Sequence, residues 1–196
     1  MKKWFISSKV TPVWTVMLLL ALLTSAARSA QSTPPITYER YDVALDLQAN
    51  GDFIVREIQK IRFEDEFQTA FADIPIDLTA DIEDIQIYEG NQPYVQDGEG
   101  PGSFRWENDG SFILVDWTYT PTQPGDVRTF TLEYRVTGGV WIYPAGNILE
   151  WRAVPADRSD IVVDKSVVTV TLPAAVADDQ LRYTAYGPRF QTTVTS

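Results

Sequence analysis

The sequence predicts an all-β fold, an antiparallel β-sandwich of the immunoglobulin-like kind that follows an N-terminal signal peptide. Apolar and polar residues alternate with a period of two along most of the chain, and helical periodicity is nearly absent. Turn residues separate about ten short strands, many of them joined as hairpins. We therefore expect a signal peptide at residues 1–30, a linker at residues 31–37 and a β-sandwich domain at residues 38–196.

The first thirty residues have the organisation of an export signal. They begin with three basic residues, Lys2, Lys3 and Lys9. An apolar run at residues 13–23 follows, and it is shorter than the roughly 20 residues that a membrane-spanning helix needs. Small residues then favour cleavage near Ala27 or Ser29. An uncleaved membrane anchor is the alternative interpretation of the same segment.

A β-hairpin is the first element predicted after the linker. Residues 41–48 alternate between apolar and polar side chains, and residues 53–63 are rich in β-branched and aromatic types. Asn50 and Gly51 lie between them, and this pair tolerates the positive φ angles of a tight hairpin turn.

Two shorter strands and a loop come next. The strands are predicted at residues 67–76 and 82–88, with Pro75 near an edge or a bulge because proline cannot donate a ladder hydrogen bond. Residues 90–102 are polar and rich in glycine, so we expect a mobile loop there.

The second half of the domain continues the same alternation. A second hairpin joins residues 104–107 to residues 111–120 through the turn Asn108-Asp109-Gly110. The remaining strands are predicted at residues 127–136, 140–143, 148–154 and 161–172. Residues 174–181 have the pattern of a helical turn that is too short to be an independent helix. The aromatic residues expected between the sheets are Trp117, Trp151, Tyr134 and Phe130.

The part of the chain after the signal is strongly acidic. Residues 1–30 hold four of the 16 basic residues and none of the acidic ones, which leaves 12 basic against 27 acidic residues, a net charge of −15. This charge repels nucleic acids and anionic lipid headgroups. We therefore expect no binding to nucleic acid or to a membrane surface unless a cation mediates it.

The chain lacks the two side chains that most often carry catalysis or bind metals, because it contains no histidine and no cysteine. A Ser-His-Asp triad, a histidine-ligated metal, a catalytic thiol and a disulfide are thereby excluded. Carboxylates remain, and a glycoside hydrolase needs a pair of them. The acidic residues considered are Glu57, Glu64, Asp65, Glu66, Glu107, Asp116 and Glu150. Glu57 and Glu150 lie inside predicted strands, but no spacing singles out a pair, so we predict no catalytic residues.

Weak, unspecific calcium binding is the one cofactor interaction that the sequence leaves open, since calcium favours clustered oxygen ligands. The clusters are Asp81, Glu83 and Asp84; Asp157 and Asp160; and Asn108-Asp109-Gly110. None completes a calcium-loop pattern, and a hairpin turn explains the last one better. We therefore predict no specific metal-binding residues and no cofactor.

Aromatic residues provide a candidate binding surface. The strand aromatics considered are Trp106, Trp117, Tyr119, Trp141, Tyr143 and Trp151. Most strand aromatics pack in a core, but Trp141 and Tyr143 lie beside glycines and a turn. We therefore expect these two side chains to be exposed.

The order of several segments resembles a known family. These segments are Asn50-Gly51-Asp52-Phe53, Phe71-Ala72-Asp73-Ile74-Pro75, Thr137-Gly138-Gly139-Val140, Asn147-Ile148-Leu149-Glu150-Trp151 and Val168-Thr169-Val170-Thr171-Leu172-Pro173. Over residues 38–186 the chain resembles the extracytoplasmic region of the predicted bacterial and archaeal membrane proteins called domain of unknown function 2207. The resemblance implies a signal peptide, this β-rich domain and then membrane helices, and it supplies no catalytic residues.

The chain departs from that family pattern at its end, because it stops at Ser196 where relatives continue into a membrane span. It is either a fragment of a longer protein, with an edge strand left exposed, or a secreted short form. We expect an exported, non-catalytic interaction or structural domain of a cell-envelope protein. Its partner would be an envelope protein or a glycan, and its membrane attachment the uncleaved signal or a missing C-terminal span. The alternative is a carbohydrate- or cell-wall-binding module that uses exposed aromatics, and a glycoside hydrolase ranks third.

Overall fold

The structure is all-β. It is a computed structural model that describes residues 34–154, 162–177 and 179–186, so the predicted signal peptide lies outside the described residues. The described strands are β1 (Ile36–Leu47), β2 (Phe53–Phe63), β3 (Thr69–Pro75), β4 (Asp81–Glu89), β5 (Gln92–Pro93), β6 (Val95–Gln96), β7 (Ser103–Asn108), β8 (Phe112–Thr118), β9 (Val127–Thr137), β10 (Val140–Tyr143), β11 (Gly146–Leu149), β12 (Val162–Val163) and β13 (Ser166–Thr171). Nothing in this part of the chain forms a helix, and therefore no helix there is long and apolar enough to cross a membrane.

Two sheets and a separate hairpin make up the fold. The first sheet has the order β12-β1-β2-β9-β4-β5, with β13 also paired to β1, and the second has the order β3-β8-β7-β6. The strands β10 and β11 pair only with each other. Pro75 ends β3 at the edge of the second sheet, as predicted.

The prediction that the sheets are antiparallel throughout is wrong, because the sheets are mixed. Strands β12 and β13 run parallel to β1, and β6 runs parallel to β7. Parallel neighbours need a long connection between them, and β13 reaches β1 only after the chain has passed through all the other strands. The immunoglobulin-like arrangement of the strands stays a prediction.

The two sheets share one hydrophobic core. The ring of Phe130, on β9 of the first sheet, lies 5.9 Å from the ring of Trp117 on β8 of the second sheet and 5.0 Å from that of Tyr119. Tyr134 is also buried, while Trp151 is partly buried and packs against the core. The four aromatic residues expected in the core are therefore all part of it, with Trp151 at its margin.

The predicted hairpins are confirmed. Strand β2 has the predicted bounds, and it pairs with β1 so that Leu47 lies opposite Phe53 across the turn at Asn50-Gly51. Gly51 has the positive φ angle, 89°, that this turn requires. Strands β7 and β8 form the second predicted hairpin.

Two other predictions are wrong, one about the end of a strand and one about the content of a loop. Strand β11 ends at Leu149 rather than at residue 154. Leu149 lies opposite Val140, the first residue of β10, so β10 offers no pairing partner for the residues that follow Leu149. The loop at residues 90–102 contains β5 and β6, and between them Tyr94 is buried. No helix occurs in residues 174–177 and 179–181, where Gln180 N donates a hydrogen bond to Ala177 O at 2.8 Å with the i→i+3 spacing of a single turn.

The long strand predicted at residues 161–172 is divided into β12 and β13. The division at Asp164 and Lys165 lies opposite an irregularity in β1 between Tyr38 and Arg40. The hydrogen bonds continue across it, since Asp164 N donates to Tyr38 O and Tyr41 N donates to Lys165 O, both at 2.9 Å. The two strands are therefore one bent edge strand that follows the bulge of β1.

Candidate functional site

The aromatic hairpin, residues 140–149, is the best candidate for a contact surface. Its strands β10 and β11 are antiparallel, with Trp141 opposite Ile148 and Tyr143 opposite Gly146. β-branched and aromatic residues favour β10, Ile148 is the one β-branched residue of β11, and Pro144 and Ala145 form the turn between the strands. Because side chains alternate along a strand, Trp141, Tyr143 and Ile148 share one face.

The tip of the aromatic hairpin exposes apolar side chains on both faces. The exposed fractions are 49% for Trp141, 43% for Tyr143 and 55% for Ile148 on one face, and 71% for Ile142 on the other. The rings of Trp141 and Tyr143 are 6.4 Å apart, with an angle of 48° between their planes. The predicted exposure of these two aromatics is confirmed, and their role in binding stays a prediction.

Both ends of the aromatic hairpin are attached to the core. At its start, Gly139 is buried, and an added Cβ there would lie 2.5 Å from Phe53 Cε1 and 2.9 Å from Val136 Cγ1. At its end, the ring of Trp151 packs edge-on against Phe53 at 5.2 Å. Val140 and Leu149, which face each other across the hairpin, are partly buried against the core. The base of the hairpin is therefore tightly packed while its tip is open.

The fit at Gly139 gives a testable prediction. We expect Gly139→Ala to lower the free energy of unfolding by about 1–3 kcal/mol, because Phe53 and Val136 must move to accept the methyl group. Urea denaturation of the full chain measures this change. Gly100→Ala is the control: its φ is 72° and no atom lies within 4 Å of an added Cβ, so only backbone strain of about 1 kcal/mol is expected. An equal or larger loss in Gly100→Ala would contradict the close packing at the hairpin base.

Glu57 lies in the core of the domain. It is 8% exposed on β2, where one carboxylate oxygen accepts a hydrogen bond from Tyr134 Oη at 2.8 Å and the other accepts a short one from Tyr41 Oη. The side chain of Gln59 is 3.5 Å from the second oxygen. Burial raises the pKa of Glu57, and the three hydrogen bonds oppose that rise. Burial and the charge of Glu57 also raise the pKa of Tyr134 well above its usual value.

The carboxylates considered for catalysis other than Glu57 lie at the surface of the described part of the chain. Glu150 is exposed just after β11 and shares no hydrogen bond with Glu57 there. The others considered, Glu64, Asp65, Glu66, Glu107 and Asp116, are exposed. A surface depression of about 390 Å³ is lined by Pro75, Ile76, Asp77, Gly110, Ser111, Phe112 and Arg152, so none of these carboxylates lines it.

The first cluster considered for calcium, Asp81, Glu83 and Asp84, has partners within the protein. Arg135 binds Glu83 at 2.5 Å and Asp84 at 2.9 Å, and Asp81 accepts a hydrogen bond from the backbone of Ile82. No group of three or more metal-ligating side chains occurs in residues 34–154, 162–177 and 179–186. Asp157 and Asp160 lie outside these residues.

Asn108-Asp109-Gly110 forms a hairpin turn. Asn108 Oδ1 accepts a hydrogen bond from Gly110 N at 2.8 Å, and Asp109 Oδ1 accepts from Ser111 N and Phe112 N, both at 2.7 Å. The two backbone donors hold the pKa of Asp109 below its usual value. These carboxylate and amide oxygens therefore cap the turn between β7 and β8.

Comparison with known proteins identifies a family over most of the chain. A family model described as the N-terminal domain of a predicted membrane protein (DUF2207) matches residues 37–196. This match confirms the resemblance found in the sequence. No curated protein matches the chain.

Solved structures offer only a distant likeness. An M1 zinc metallopeptidase from Deinococcus radiodurans is 15% identical with a TM-score of 0.34, covering 53% of this chain and 20% of that one. A protein from Legionella pneumophila described as a candidate nutrient binding protein is 12% identical with a TM-score of 0.39, covering 53% and 40%. The chain thus spans well under two thirds of either neighbour, and at these TM-scores the likeness carries no argument about fold or activity.

Proposed function

Because the chain belongs to the family described as predicted membrane protein (DUF2207) N-terminal domain, we propose that residues 38–196 are an extracytoplasmic, non-catalytic interaction or structural domain of a cell-envelope protein. The proposal includes export by the signal at residues 1–30 and an immunoglobulin-like sandwich. The basic start and apolar run of that segment support export. Two sheets that share one core support the sandwich.

The aromatic hairpin is the observation that carries this proposal. Its tip exposes four large apolar side chains, whereas its base is packed against Phe53 and Val136. Grouped apolar side chains on the surface of a domain with a net charge of −15 are typical of a contact site. We therefore assign the contact with the envelope to this hairpin.

The surroundings of Glu57 support the non-catalytic part of the proposal. A catalytic carboxylate must come within hydrogen-bond reach of its substrate. The oxygens of Glu57 are instead directed at Tyr41, Tyr134 and Gln59, and the residue is 8% exposed. Its raised pKa follows from its place in the core and needs no catalytic explanation.

A carbohydrate- or cell-wall-binding module is the second candidate. The observation that favours it is the exposed pair of rings at Trp141 and Tyr143, 6.4 Å apart. Aromatic side chains have a large apolar face that stacks on sugars. The angle of 48° between the ring planes means that the two rings do not form one flat platform, so we rank this function below the first.

Single-cysteine labelling tests the proposal, because the chain contains no other thiol. Ile142→Cys places a thiol at the hairpin tip, and Val95→Cys is the matched control, since the native side chains are 71% and 64% exposed. The full chain is produced in cells of the organism that encodes it and is treated with a maleimide that does not cross the cytoplasmic membrane. Purified samples of both variants give the reference rates.

We expect Val95→Cys to react at the same rate in cells and after purification, because its thiol lies outside the cytoplasmic membrane and no partner covers it. Ile142→Cys should react ~10-fold or more slowly in cells than after purification, because a bound envelope component covers the tip; such protection corresponds to about 1.4 kcal/mol. An unreactive Val95→Cys in intact cells would contradict the extracytoplasmic location. Equal rates for the two variants in cells would contradict the assignment of the contact to the aromatic hairpin.

A further inference from the structure

Charge is distributed unevenly between the aromatic hairpin and the rest of the domain. Residues 31–196 carry a net charge of −15, yet residues 136–149 contain no charged side chain. The nearest charged residues along the chain are Arg135 and Glu150, one at each end of this stretch. The uncharged stretch includes the whole exposed tip, so its surroundings when bound are expected to be apolar or neutral.

The types of side chain at the tip match the boundary between water and lipid. Trp and Tyr carry an apolar ring with a polar edge and are enriched at the headgroup level of membranes. Here Trp141 and Tyr143 lie beside Ile142 and Ile148, which supply purely apolar surface. Such a combination favours a position partly in the headgroups and partly against the acyl chains.

The placement of these side chains on both faces distinguishes lipid from other partners. A glycan or a protein normally covers one face of a hairpin, whereas a bilayer surrounds a tip that enters it. Ile142 is 71% exposed on one face, while Trp141 and Ile148 are about half exposed on the other. Immersion of the tip in a bilayer would remove both faces from water.

The hairpin geometry limits how deeply the tip can enter. The strands β10 and β11 pair only with each other, so the outer backbone groups of each strand have no strand partner in the described part of the fold. Unpaired backbone groups are costly in hydrocarbon but are hydrated among headgroups. The immersion is therefore shallow.

We propose that the aromatic hairpin inserts its tip into the headgroup region of a zwitterionic lipid bilayer. This inference rests on the proposed function, since it names the partner of the same contact surface. A zwitterionic bilayer is chosen because an anionic one repels a domain of net charge −15. The packed base at Gly139 and Trp151 holds the tip in a fixed direction relative to the sheets.

Site-specific fluorescence tests this proposal. The purified full chain carries an environment-sensitive NBD dye on Ile142→Cys or, as the matched control, on Val95→Cys. Each is mixed with neutral phosphatidylcholine vesicles, with vesicles that contain brominated acyl chains as a quencher, and with vesicles that contain anionic phosphatidylglycerol. The dye position distinguishes insertion of the hairpin from any binding of the apolar run within residues 1–30.

We expect a blue shift and quenching by brominated lipid for the dye at position 142 and neither for the dye at position 95. Adding Trp141→Asp should weaken the partition reported at position 142 by ~10-fold or more, which corresponds to about 1.4 kcal/mol. Trp106→Asp, which replaces a tryptophan that is 40% exposed on β7, should leave the partition unchanged. Anionic lipid should reduce the binding, most strongly at low salt.

An unchanged spectrum at position 142 in neutral vesicles would overturn the lipid proposal, as would equal effects of Trp141→Asp and Trp106→Asp. If Ile142→Cys is nevertheless protected from maleimide in cells, the contact surface remains and its partner is a protein or a glycan. If it is labelled freely in cells, the proposed function fails as well.

Discussion

Replacing Trp117 by alanine is expected to lower the free energy of unfolding by about 3–5 kcal/mol. The side chain is 1% exposed on β8, and its ring lies 5.9 Å from that of Phe130 on the opposite sheet. Truncation would leave a cavity in the layer that joins the two sheets. The Nε1 of Trp117 is buried without a hydrogen-bond partner among the described residues, so the expected loss comes from packing alone. Urea denaturation of the full chain, followed by tryptophan fluorescence and circular dichroism, measures it.

Trp106→Ala is the matched control for this prediction. Trp106 belongs to the same β7–β8 hairpin but is 40% exposed, so its truncation should change the free energy of unfolding by less than about 1 kcal/mol. Similar losses in the two variants would contradict a core that is shared by the two sheets. A large loss of unfolding free energy in Trp117→Ala, without one in Trp106→Ala, would support such a shared core.

The elements that the sequence predicted well are those decided by neighbouring residues. The first hairpin depends on the alternation in β1 and β2 and on the positive φ of Gly51, all within one short stretch. The second depends in the same way on the turn at Asp109 and Gly110. Local turn chemistry and a period of two are sufficient to specify such hairpins.

The features that the sequence did not predict depend on distant segments. Strand β13 joins β1 in parallel, and nothing in the alternation of either strand specifies that partner or its direction. Tyr94 is one large ring in a polar stretch, yet it is buried in the core cluster that residues of both sheets form. Pairing over such distances is set by packing of the complete domain, which a single-sequence pattern does not contain.

Of the candidate sites, one was predicted from local sequence features and one was not. The exposure of Trp141 and Tyr143 followed from the adjacent glycines and turn, which are local features. The environment of Glu57 was not predicted, although the alternation contained a signal for it. Every second side chain of β2 is buried, including those of Val55 and Ile61. Glu57 and Gln59 belong to the same series of positions, so the alternation of side chains along the strand directs both of them toward the core.

Replacing Glu57 by alanine is expected to lower the free energy of unfolding by about 2–4 kcal/mol. Tyr41 and Tyr134 each lose a buried hydrogen bond to the carboxylate, and truncation also leaves a void beside them. Chemical denaturation of the full chain measures the loss. Glu150→Ala is the control, because Glu150 is an exposed glutamate and its removal should leave the stability nearly unchanged. Equal stability of Glu57→Ala and wild type would contradict a structural role for the buried carboxylate.

Glu57→Gln removes the ionisable group at nearly the same volume, and its amide oxygen keeps an acceptor for one of the two tyrosines. Burial raises the pKa of Glu57 above its usual 4.5, so the folded state binds its proton more tightly than the unfolded state. The resulting stabilisation is complete below pH 4.5 and is lost as the pH rises through the raised pKa. The stability of wild type relative to Glu57→Gln should therefore decrease with rising pH.

Unfolding curves of both proteins from pH 4.5 upward measure this difference, and the absence of histidine removes the usual competing titration near neutrality. A difference that increases with pH would show that the hydrogen bonds from Tyr41 and Tyr134 outweigh burial and hold the carboxyl ionised in the core.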